Sequence, residues 1–170
     1  MFPIVFLILC QVEALFSWKY CSGSKNILDV LSLDITNCGE RSCEFVEDTA
    51  VSLRLIFTSP QHFDKLSIEI EADASYFKQK IPGIDKNMCN HLSPKCPLEK
   101  DQTYTYAIKM KVPAGIPFSI DVTAKVKVLD DNNQDVMCLE LKGKLVKSKA
   151  EPKETGKGDK KKSLHHAEDL

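Results

Sequence analysis

A chain of 170 residues has room for one domain of ordinary size, with a core large enough to stand alone. Its 23 lysines and arginines nearly balance 24 aspartates and glutamates, and the formal net charge of −1 gives no electrostatic reason to expect a nucleic acid as partner. Beyond the first dozen residues, no stretch approaches the roughly 18–20 apolar residues that a membrane-spanning helix needs.

The chain opens on an almost wholly apolar run, Phe2 to Val12, too short to cross a bilayer as a helix. Val12 and Ala14 are small residues placed where signal peptidase accepts them, so residues 1–14 are expected to be a signal peptide removed near Ala14. Only the amino terminus supplies positive charge ahead of this run. Its removal would take Cys10 with it.

After the leader the sequence is written in period two. Leu31, Leu33 and Ile35 alternate with Ser32, Asp34 and Thr36. Val51, Leu53, Leu55 and Phe57 follow the same rule, as do Leu66, Ile68, Ile70 and Ala72. Further on come Tyr104, Tyr106, Ile108, Met110 and Val112, then Ile120, Val122, Ala124, Val126 and Val128, and last Leu139, Leu141 and Leu145. Each run has the length of a strand with one apolar face and one wet face. Ser59-Pro60, Pro82-Gly83, Pro113-Ala114-Gly115 and Asp130-Asp131-Asn132-Asn133 are breaker clusters between runs. No window offers an amphipathic helix. The pattern predicts an all-β domain, two antiparallel sheets packed face to face.

Six cysteines remain after the leader: Cys21, Cys38, Cys43, Cys89, Cys96 and Cys138. An even count in a secreted chain reads as three disulfides, with 15 possible connectivities. Two close pairs stand out, Cys38/Cys43 and Cys89/Cys96, each framing a loop with turn residues; the remaining pair would tie the first strand to the last. Paired Cys-x-x-Cys or His spacings for a metal are lacking. With no Asn-x-Ser/Thr sequence in the chain, N-glycosylation is not expected, which leans the destination toward the extracellular space, with the lysosomal lumen as the other possibility. From 147 to 170 the composition turns to Lys, Glu, Asp, Gly and Pro, too poor in apolar residues to offset the entropy of ordering, so a solvated, mildly basic tail is expected.

A catalytic centre needs a nucleophile with a base, paired carboxylates or a metal cluster. The body of the domain offers only His62 and His91, both beside turns, and carries neither Gly-x-Ser-x-Gly, nor His-Glu-x-x-His, nor a Gly-rich phosphate loop. Asp130-Asp131 belongs to a turn that wants Asp in any case. The chain is therefore expected not to be an enzyme and to need no cofactor or metal.

The segment Ile81-Pro82-Gly83-Ile84-Asp85-Lys86-Asn87-Met88-Cys89, followed by Cys96-Pro97-Leu98-Glu99-Lys100, resembles a known family, as do Lys100 to Tyr106, Val112 with Ile116-Pro117, and Leu129 to Asn133 with Cys138. The resemblance is to the Niemann–Pick type C2 proteins and the group 2 mite allergens, members of the ML, or lipid-recognition, domain family. It covers about Trp18 to Val146 with all six cysteines, so the ML domain is placed at 15–146. It implies the pairing Cys21–Cys138, Cys38–Cys43 and Cys89–Cys96. It also implies an immunoglobulin-like β-sandwich whose sheets splay at one end to admit a sterol or a lipid tail. Carried over by position, the pocket would be lined by Leu33 and Ile35, then by Leu53, Leu55 and Phe57. Phe77, Ile81 and Pro82 would close one side of its mouth, Val112, Ile116 and Pro117 would form the opposite lip, and Val122, Ala124 and Val126 the floor.

The resemblance further implies a secreted, monomeric carrier that takes up a sterol, fatty acid or similar hydrophobic small molecule and delivers it in a transient contact with a membrane or a receiving protein. The alternative is a lipid-presenting co-factor for an innate-immune receptor. The sterol-binding members carry aromatic residues at the positions of Ile81, Ile116 and Val126; aliphatic walls there conform better to a flexible acyl chain than to a rigid ring system.

Overall fold

The computed structural model describes residues 18–39 and 41–148; the leader expected over 1–14 and the tail from 149 onward lie outside the described residues. Ten strands occur in order: β1 (Trp18–Tyr20), β2 (Asp29–Ile35), β3 (Cys43–Val46), β4 (Ala50–Ser59), β5 (Ser67–Ala74), β6 (Phe77–Lys80), β7 (Leu92–Ser93), β8 (Gln102–Lys111), β9 (Ile120–Leu129) and β10 (Asp135–Val146). Among the described residues the one helical element is a single 3₁₀ turn, Met88–His91, capped by the Asn87 side chain, which accepts from the Cys89 N–H at 3.2 Å.

The strands form two sheets. One runs β1-β10-β9-β5-β6, and the other runs β2-β4-β8-β7. Pairing is antiparallel throughout except at β3, which lies parallel to β10 beyond the end of β1, so that β1 and β3 share one edge of β10. The alternating apolar positions of β4 and β9 drive this arrangement: Val51, Leu53, Leu55 and Phe57 point inward from one sheet, and Val122, Val126 and Val128 from the other. At the well-filled end Leu28, Phe57, Leu66, Ile68, Met88, Leu98, Tyr104 and Met137 are fully buried, and the rings of Phe57 and Tyr104 stack with centroids 6.0 Å apart.

One residue expected to face inward lies elsewhere. Leu31 is 56% exposed, because the β2–β4 register shifts between Val30 and Ser32. The extra residue of this bulge lets Val30 and Leu33, three positions apart, both face the interior while Leu31 is turned out.

The expected disulfides are all formed: Cys21–Cys138, Cys38–Cys43 and Cys89–Cys96. The first ties β1's exit to the middle of β10, where the Cys21 N–H also donates to the Cys138 carbonyl at 2.9 Å. Turn chemistry holds the β9–β10 connection, where the Asp130 carboxylate accepts from the Asn132 and Gln134 N–H groups, each at 2.9 Å.

Candidate functional site

The interior is not evenly filled. Buried side chains separate into a large cluster and a small one, the latter made of Val51, Val112, Val122 and Leu145. Between the two lies a hollow that reaches from Ile35, Leu53 and Met110 of one sheet to Ile70, Val126 and Leu141 of the other.

The cause is legible in the register. Ala72 of β5 and Ala124 of β9 are direct cross-strand partners, and Ala124 also pairs with Leu141 of β10. Face-packed sheets stand about 10 Å apart, and two adjacent methyl groups cannot span their half of that gap. The walls are aliphatic, with Phe45 of β3 the aromatic among the lining residues. The hollow, partly open to solvent, has a cavity volume of about 60 Å³. That is room for a few waters at roughly 10–15 Å³ each, far below the about 300–1,000 Å³ of pockets that take drug-sized ligands. A lipid-sized guest needs more room than the hollow offers as it stands.

Glu71 borders the hollow, but it alternates with the inward Ile70 and Ala72 and its carboxylate engages Lys127 at 3.1 Å and Lys78 at 3.4 Å. Its burial pushes the carboxyl up; the two lysines outweigh this and hold it below the usual carboxylate range.

The residues singled out from sequence fall into three groups. Ile35, Leu53, Ile81, Val112, Val122, Ala124 and Val126 line the hollow. Leu33, Leu55 and Phe57 lie at the filled end, where they are part of the closed core. Phe77 and Ile116 pack against the small cluster at the hollow's end without lining it, while Pro82 and Pro117 are exposed on their loops. The lining residues not anticipated include Phe45, Val51, Ile70, Ala72, Met110, Pro113, Leu141 and Leu145. Most of these are inward positions of strands read correctly from their periodicity; what one dimension lacks is the point along each strand at which the core opens.

The loop between β8 and β9, residues 112–119, forms one lip. Its fold is set by Gly115, which has φ +89°, a left-handed conformation suited to glycine, and by Glu47 in the turn between β3 and β4. Glu47 is buried, and its Oε2 accepts from the Gly115 N–H at 3.1 Å and the Ile116 N–H at 3.3 Å. Two aromatic side chains stand out in solvent at this same end, Phe118 in the lip and Tyr76 in the β5–β6 turn, 57% and 83% exposed. A second, more open groove on the β2–β4–β8 side is lined by Trp18, Leu31 and Ile108 together with Asp34, Arg54, His91 and Lys109.

Comparison with known proteins gives this architecture relatives. The ML domain family model matches residues 15–145. The mite group 2 allergen Eur m 2 of Euroglyphus maynei is 36% identical over 94 residues, covering 55% of this chain and 63% of the allergen, so the match spans just under two thirds of that relative's length. The NPC intracellular cholesterol transporter 2 homolog a of Drosophila melanogaster is 24% identical over 143 residues, 82% of this chain and 96% of its own. A crystal structure of a Niemann-Pick type C2 protein from the Japanese carpenter ant superposes with a TM-score of 0.65 at 18% identity, covering 76% of this chain and 99% of the ant chain, which shows a shared fold. The chain belongs to the ML domain family.

Proposed function

We propose that the protein is a secreted carrier that binds a hydrophobic small molecule, a fatty acid or a sterol, between its two sheets and hands it over in a transient contact with a membrane or a receiving protein. As an ML domain the chain is not an enzyme, and its work is physical. The observation that carries the reading is the hollow over Ala72 and Ala124: an apolar gap at one end of a sandwich whose other end is tightly filled. The name of the Drosophila relative, a cholesterol transporter, supports the ligand class. The three disulfides support an oxidising compartment.

Aliphatic walls with Phe45 as their aromatic favour an acyl chain over a sterol. A ligand burying roughly 400 Å² of apolar surface gains about 10 kcal/mol gross, which immobilisation costs reduce to around micromolar affinity. Exposed Phe118 and Tyr76 at the mouth fit delivery to an apolar acceptor.

The test is uptake of a fluorescent fatty acid and a fluorescent sterol by delipidated protein. Both the wild type and Val122→Trp, which drives an indole into the gap, are measured. Uptake by the wild type and loss of it in the variant is the expected result. Equal uptake by both proteins would place binding elsewhere, and native mass spectrometry of protein from its own source would show what it carries.

A further inference from the structure

Admission of a ligand much larger than about 60 Å³ requires a lip to move, and the β8–β9 lip is held chiefly by one carboxylate, with a longer bond from the Lys147 N–H to Ser119 Oγ at 3.5 Å at its far end. Up to Val112 the chain is pinned: the Asp48 N–H donates to the Val112 carbonyl at 3.1 Å, and the Val112 N–H donates to the Thr49 carbonyl at 2.9 Å. Past Val112 the attachment changes in kind. Among the described residues, the lip's bonded backbone donors are Gly115 and Ile116, two successive N–H groups that the left-handed Gly115 turns to one side, and both go to Glu47 Oε2. Successive amides in such a turn make a small anion-binding concavity, here filled from within the protein. The other oxygen, Oε1, accepts from the Ser148 N–H at 3.2 Å, so the same carboxylate also fixes the chain where it leaves β10. Glu47 is 7% exposed, and its partners among the described residues are these three amides rather than a lysine or arginine.

A buried carboxylate spent on a loop, with the loop's Ile116 packed on the cluster that ends the hollow, has a definite mechanical effect. We propose that Glu47 is the latch of the lipid cavity: by holding the Gly115 and Ile116 amides it keeps the lip seated, and its release is the step that admits or discharges the ligand. This rests on the lipid-carrier reading. Glu47 is a positioning residue that acts through the lip and touches no ligand. A latch that holds the lip equally over an empty and a filled cavity governs the speed of exchange more than the affinity.

The test pairs amide hydrogen exchange with stopped-flow binding of cis-parinaric acid, a fluorescent fatty acid, to the full chain. In the wild type the Gly115 and Ile116 amides should exchange more slowly than those of Ala114 and Phe118 in the same loop. Glu47→Ala should speed their exchange roughly tenfold and raise the association and dissociation rates of the probe together, by about threefold or more, with Kd changed less than about twofold. Glu47→Gln, which keeps the shape but loses the charge-assisted acceptor, should move the same quantities less far, and it decides the matter should the alanine variant fail to fold. Wild-type amides exchanging as fast as their neighbours, or variants with unchanged rates, would overturn the latch. If the wild type takes up no cis-parinaric acid, the carrier reading fails, while the exchange data still decide whether Glu47 seats the lip.

Discussion

Phe45 of β3 packs against the bare Cα of Gly143 on β10: a carbon added to Gly143 would stand 2.5 Å from the ring's Cε2 and 3.3 Å from the Cys43 carbonyl oxygen. Space, not torsion, demands glycine here, because the parallel β3–β10 pairing brings the ring over the strand. Gly143→Ala is expected to cost about 1–3 kcal/mol through overpacking, a fall in Tm of about 2–4 °C per kcal/mol. Since Phe45 lines the hollow, probe affinity should change as well. A thermal melt matching the wild type would show that the ring yields freely.

Ala124→Leu should separate binding from folding. The new side chain points into the gap above the Ala72–Ala124 row and fills it from the floor. Filling a void commonly adds about 0.5–2 kcal/mol, so Tm should hold or rise while fatty-acid uptake falls at least about tenfold. A variant that melts lower and still binds would contradict the assignment of the hollow as the ligand site.

Phe118→Asp is expected to slow transfer of bound probe to lipid vesicles while leaving uptake in solution nearly intact, because Phe118 is exposed and outside the lining. Tyr76→Asp should act in the same direction. Transfer rates measured against acceptor vesicle concentration provide the check, and rates equal to wild type for both variants would remove these rings from the docking surface.

Replacing Cys21 and Cys138 together by serine reopens a loop with a sequence separation of 117. The chain-entropy model assigns about 4–5 kcal/mol to so long a closure. The Cys38–Cys43 pair closes a separation of only 5, so the corresponding double serine variant should lose markedly less. Urea unfolding of the two variants compares them directly, and the reverse order would refute the loop-length account.

His62 sits between two carboxylates, with Nε2 3.1 Å from Asp64 and Nδ1 3.4 Å from Glu99. Asp64 first and Glu99 second raise its pKa above the ordinary 6.5. Since the folded value lies above the unfolded one, the contribution of this pair to stability is fully present below pH 6.5 and is lost as pH rises through the folded pKa. The site is exposed, so the effect on stability is small. An NMR titration should place the imidazole above 6.5 in the wild type and nearer 6.5 in Asp64→Asn.

The sandwich was legible because two long strands, β4 and β9, carry period-two alternation of apolar residues, which burial on one face imposes. The cysteine pairing and the family came from the motif around Ile81 to Cys89 together with the segments at Lys100 to Tyr106 and Leu129 to Asn133. Leu31 was misplaced because a bulge adds a residue without altering composition. Phe45 was overlooked because β3 has four residues and reaches the sheet by parallel addition to β10, a strand about a hundred positions away. Glu47 was invisible for a related reason: a lone glutamate in a turn looks solvated until a distant loop is laid against it. Long-range juxtaposition, which no local pattern encodes, accounts for the Phe45 and Glu47 gaps.

The separation of the interior into a filled half and a hollow half has an evolutionary corollary. Leu28, Phe57, Met88 and Tyr104 anchor the skeleton far from the gap, so changes at Val51, Val112 or Val122 can remodel the berth without dismantling the scaffold. If the proposed carrier function holds, a lineage with this layout is free to switch cargo by small volume swaps at a handful of positions, and unlike cargoes can be served by nearly superimposable frameworks.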